Sequence, residues 1–142
     1  MTIDEYRSLP GAKNKHKQKK EESLQIQVSS YIKAKYPDVI FTSESSGVRL
    51  TMGHAVKAKK QRSNHKLPDM IILHPMNGYC GLCIELKKEG ETVWLKNGSL
   101  STNKHIQEQA QTLSQLSKLK YCADFAIGYN QAILLIDRYF SL

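Results

Sequence analysis

The chain has 142 residues, 40% of them hydrophobic, with a formal net charge of +8 and a pI near 9.4. That length supports one domain with a real core, burying about two-thirds of the surface its unfolded form exposes; no apolar run approaches the ~20 residues of a membrane span, and the N-terminus lacks a signal peptide's apolar stretch, so a soluble intracellular protein is expected. Three cysteines give no disulfide framework, and Cys80 and Cys83 sit three apart on an expected strand, facing opposite sides, so they read as small apolar residues rather than a zinc or redox pair.

Residues 1–20 form a basic tail holding Lys13, Lys15, Lys17, Lys19 and Lys20. It is either a solvated segment or an arm that contacts a polyanion. A helix is expected from Glu21-Glu22-Ser23, because Leu24, Val28, Tyr31 and Ile32 follow the i, i+4, i+7, i+8 stripe. It ends at Tyr36-Pro37, where proline disfavours helix at the residue before it. Val39–Ser43 is the first expected strand. From Gly47 to Lys66 the chain carries Arg49, Lys57, Lys59, Lys60, Arg62 and Lys66 without one acidic residue. A loop or short helix is expected there, rimming a cleft and neutralising phosphates. Few aromatics interleave, so base stacking is not specifically indicated.

Asp69–Leu73 and Tyr79–Lys87 are the second and third strands. Asn97-Gly98 marks a turn, which lets Val93-Trp94-Leu95 pair with Leu100 in a small hairpin. The next helix runs through His105 with Ile106, Gln109, Leu113 and Leu116 on one stripe, and a polar Gln109 is out of place on that face. Cys122–Gly128 reads as the last strand and Asn130–Phe140 as a closing helix. Residues 21–142 are thus expected to form one α/β domain, a mixed central sheet flanked by helices in the order α, β, β, β, α, β, α. His54, His65, His74 and His105 have no ligand spacing and read as surface or phosphate-proximal residues.

The chemistry concentrates at Pro68-Asp69 and Glu85-Leu86-Lys87. Strand alternation puts Glu85 and Lys87 on one face, roughly 7 Å apart, with Leu86 pointing into the core. Two carboxylates suit a hard cation such as Mg²⁺, which adds water and phosphate oxygens, and the Lys87 ammonium would lie beside that water. Taken singly, Asp69 is as readily a turn residue, and Glu85 with Lys87 an exposed pair at a sheet edge. Together on strands this apolar, unpaired charges would be costly.

This pattern resembles the PD-(D/E)xK nuclease superfamily. The full order, from the glutamate-bearing helix through Gly47-Val48-Arg49, the basic stretch, Pro68-Asp69, Glu85-Leu86-Lys87 and the glutamine-bearing helix to Ala123-Asp124-Phe125-Ala126-Ile127-Gly128, resembles the VRR-NUC family in its stand-alone phage-type form. Leu67 stands where a glycine usually precedes Pro68-Asp69, which affects the local turn. The resemblance covers about residues 21–140 and implies a restriction-endonuclease-like fold and a nuclease cutting DNA, with Asp69, Glu85, Lys87, Gln109 and Glu22 as catalytic positions. Glu22 is preferred to Glu21 because it stands three before Gln25. It further implies Mg²⁺ or Mn²⁺ held by Asp69, Glu85 and the Leu86 carbonyl, with Glu22 at a second metal or its water shell. DNA would meet Arg49, Lys57, Lys59, Lys60, Arg62 and Lys66. Branched or Holliday-junction substrates and a homodimer are also implied. A non-catalytic DNA-binding module with the same fold, and a basic structural or RNA-binding protein, are the alternative readings.

Overall fold

The computed structural model describes residues 23–43 and 51–142. Helix α1 spans Leu24–Lys35 and begins where the Ile26 N–H donates to the Ser23 hydroxyl at 3.3 Å. Strand β1 (Phe41–Ser43), helix α2 (Met52–Gln61), strand β2 (Met70–Ile72) and strand β3 (Leu82–Lys87) follow, then helix α3 (Lys104–Lys118), strand β4 (Cys122–Ile127) and helix α4 (Gly128–Phe140). The sheet order is β1-β2-β3-β4, antiparallel in the first two pairings and parallel between β3 and β4. Helix α3 is the crossover that a parallel pair requires.

Between the first and second strands, where a loop or short helix is expected, the chain forms helix α2. It buries none of its residues, and Met52 and Val56 are exposed, so it carries no apolar stripe from which its presence could be read. The third strand starts at Leu82 rather than Tyr79, because Met76 and Tyr79 bond each other across a turn with Asn77 and Gly78 at positive φ. Gly81 then leads into the strand, where a Cβ would meet the Ile72 carbonyl oxygen at 2.6 Å, so only glycine fits. The small hairpin forms as expected, with a bridge between Trp94 and Leu100.

Strand alternation sorts the two faces of the sheet. Leu82, Ile84 and Leu86 join Met70, Ile72 and Ala126 in a core closed by Val28 and Ile32 of α1 and by Ala132, Leu135, Ile136 and Tyr139 of α4. Phe125 packs on the other face with Val93 and with Ile106 and Leu113 of α3. Cys83, Glu85 and Lys87 alternate onto that second face. The α1–α4 contact is fastened by Asp137, whose carboxylate accepts from the Tyr31 and Tyr36 hydroxyls at 2.7 Å and pairs with Lys35 at 3.0 Å. Burial opposes the charge, yet those hydroxyls and the ammonium hold the Asp137 carboxyl below its ordinary value.

The outer edge of β4 is blunted. The Cys122 N–H donates inward to Gly81, so the amides of Phe125 and Ile127 point outward by alternation. Both are taken by side chains, Phe125 by Asp124 at 2.7 Å and Ile127 by Gln131 at 3.0 Å. A strand added there would find these donors engaged. No helix among the described residues is long and apolar enough to cross a membrane.

Candidate functional site

The β2–β3 register pairs Met70 with Ile84, Ile71 with Cys83 and Ile72 with Leu82. Continued by one residue, it sets Asp69 opposite Glu85; continued by two, it sets Pro68 opposite Leu86. The sequence spacing across the β2–β3 connection therefore becomes a direct facing of two carboxylates. The local chain explains why they sit at the end of the ladder rather than within it. The Leu73 N–H donates to Ile40 on the β1 side, so Met70 and Ile72 turn toward β3, and Leu86 presents its N–H and C=O to β2. Pro68 has no N–H to give the Leu86 carbonyl. The Leu86 N–H donates instead to Asp69 Oδ2 at 2.8 Å, which fixes the Asp69 side chain. Gln25 of α1 reaches the other oxygen, Oδ1, with Nε2 at 3.5 Å.

Glu85 is only 6% exposed and Lys87 only 7%. Burial first, then the neighbouring Asp69 carboxylate and the hydrogen bond between the two, push the Glu85 carboxyl up to about 9, against the pull of Lys87 and Lys66. At neutral pH the Glu85 carboxyl thus keeps its proton in the absence of a cation. Gln109 projects from α3 and donates Nε2 to Glu85 Oε1 at 2.8 Å. Its own carbonyl oxygen, Oε1, is buried without a hydrogen-bond partner. Gln109 therefore steadies the glutamate rather than the lysine. Lys87 lies 3.9 Å from the carboxylate of Glu91.

The donor set fits a hard divalent cation. Two facing carboxylates hold more negative charge than a buried site tolerates, and a cation between them would relieve it in place of the proton. Among the described residues no cluster of three or more His, Cys, Asp or Glu side chains assembles, so the remaining ligands would be the Leu86 carbonyl, water and phosphate oxygens.

Beside Gln109 a cleft of about 270 Å³ opens between α3 and residues 64–66, walled by His65, Lys66, His105, Glu108 and Thr112. The basic residues Lys57, Lys59, Lys60, Arg62 and Lys66 lie along and just after α2, all on exposed positions. Glu22 and Arg49, together with the lysine-rich tail, lie outside the described residues. Two partners escaped the sequence, Gln25 and Glu91. Glu91 stands four residues after Lys87 but across a turn, and Gln25 reaches Asp69 only through the docking of α1, so neither leaves a periodic signal.

One solved structure, described as a VRR_NUC domain protein, is similar to this chain over 83% of its length and 85% of the other's, with a TM-score of 0.57 and 23% sequence identity. No family model matches the sequence, and no curated protein is similar to it. The likeness shows that the chain shares the fold of that VRR_NUC domain protein, in agreement with the expected mixed sheet flanked by helices.

Proposed function

We propose that this protein is a divalent-cation-dependent DNA endonuclease that hydrolyses phosphodiester bonds. The observation that carries the reading is the facing of Asp69 and Glu85 at the open end of the β2–β3 ladder, with the buried Lys87 two residues on. Asp69, Glu85 and the Leu86 carbonyl would hold Mg²⁺ or Mn²⁺. When bound, the cation supplies a water of lowered pKa and charge neutralisation on the scissile phosphate. Gln109 Nε2 keeps one Glu85 oxygen fixed. Lys87 orients that water or offsets negative charge growing on the phosphate in the transition state. Gln25 and the Leu86 amide keep Asp69 from rotating away. Glu22 would hold a second cation or its water shell.

The exposed basic residues on and after α2 support nucleic acid as the substrate. The same reading takes branched DNA, four-way junctions included, as the preferred form and a two-fold pair of chains as the active assembly. Incubation with linear, flapped and four-way-junction DNA in Mg²⁺ or Mn²⁺ tests it. Cleavage that a chelator abolishes is expected, strongest on the branched forms. Binding of equal strength with and without the cation, and no cleavage of any substrate, would favour a non-catalytic DNA-binding module.

A further inference from the structure

The cleft between residues 64–66 and α3 meets the site at Gln109, which both lines it and holds Glu85. The residues that line it are all polar or charged, of mixed sign. Lys66 offers an exposed ammonium at the step into β2, three residues before Asp69. His65 lies next to Thr112, whose hydroxyl donates to the Glu108 carbonyl at 3.3 Å and lies 3.5 Å from His65 Nδ1. The Thr112 hydroxyl thus stands beside the His65 ring, with donor and acceptor set by the ring's tautomer. His105 stands on the α3 side of the same cleft. Upstream, residues 51–66 carry Lys57, Lys59, Lys60, Arg62 and Lys66 and no acid, so a polyanion guided along that segment arrives here. Against them stands a single carboxylate, Glu108, exposed in the cleft wall.

Resting on the nuclease reading, we propose that this cleft is a subsite for a backbone phosphate of the DNA strand next to the one being cut, gripped by Lys66 and His65, with Glu108 weakening the grip. The subsite fixes which way the strand leaves the cation site: past Gln109 and along α3. Glu108 makes the arrangement testable in two directions. Removing a cation loosens a polyanion wherever it touches the protein, whereas removing this carboxylate tightens it only where phosphate passes close to the cleft, within about a Debye length.

The test is equilibrium binding of labelled duplex and four-way-junction DNA, in chelator so that nothing is cut, across a salt series. Lys66→Ala is expected to weaken binding roughly 3- to 10-fold and to reduce the salt slope by about 1. Glu108→Gln is expected to tighten binding roughly 2- to 5-fold, and Lys118→Ala, at the far end of α3, to change nothing. Unchanged affinity in Glu108→Gln overturns the subsite, whether or not Lys66→Ala weakens binding, because the strand then passes outside the cleft. The two proposals fail separately. A protein that cleaves while both variants bind normally loses the subsite alone; one that never cleaves while both shifts occur loses the nuclease reading alone.

Discussion

Asp69→Asn is expected to abolish cleavage, lowering the rate by about 10³-fold or more, while leaving the fold intact. Asparagine keeps an acceptor for the Leu86 amide, so the local hydrogen bond survives and the unfolding midpoint should barely move. What it removes is the full negative charge facing Glu85, and a hard cation loses its principal ligand. Lys87→Ala should lower the rate by about 10²- to 10⁴-fold, the usual range for a positioned proton-transfer or charge-stabilising group, with binding of DNA little altered. Single-turnover cleavage with saturating Mg²⁺ reads both effects, and far-ultraviolet circular dichroism checks the fold. Cleavage at the unsubstituted rate in either variant would overturn the assignment of the site.

Stability should fall as pH rises in the cation-free protein and be restored by Mg²⁺. The Glu85 carboxyl is raised to about 9 by burial and by Asp69, above its value in the unfolded chain. The folded state therefore binds a proton that the unfolded state releases once pH passes the ordinary carboxylate range, and stability declines from there up to the raised value. Between pH 5 and pH 8 the unfolding midpoint is expected to drop by on the order of 5 °C or more. This window isolates Glu85 from two other groups. Asp137, with its lowered value, loses its contribution only in stronger acid, and the Cys83 thiol, raised to about 11 by burial and by Cys122, matters only in stronger base. Glu85→Gln should flatten the profile, and Mg²⁺ should lift the alkaline side of the unsubstituted protein by taking the place of the proton. A midpoint that is flat or rising from pH 5 to pH 8, or a decline that persists in Glu85→Gln, would contradict this description of the carboxylate pair.

Much of the site was legible because strand spacing is rigid. Alternation alone puts Glu85 and Lys87 on one face. Gln109 was visible as a polar residue on the stripe of Ile106 and Leu113, and it does turn inward to Glu85. The facing of Asp69 with Glu85 depends on the β2–β3 register, which two short apolar runs joined by a long connection do not encode locally. Loop and helix are equally compatible with the sequence of α2, because its exposed side chains give no periodicity to read; its start rests on a cap, the Thr51 hydroxyl accepting from the His54 N–H at 3.3 Å. The partnership of Gln25 with Asp69 arises from helix docking, which lies beyond any window of the sequence.

Anomalous diffraction from crystals soaked in Mn²⁺ addresses the cation site itself. A peak between the Asp69 and Glu85 carboxylates, roughly 2.1 Å from the nearest oxygen of each and beside the Leu86 carbonyl, is the expected result, together with its loss in Asp69→Asn. Manganese bound elsewhere, or absent from that position while cleavage still requires the ion, would contradict it.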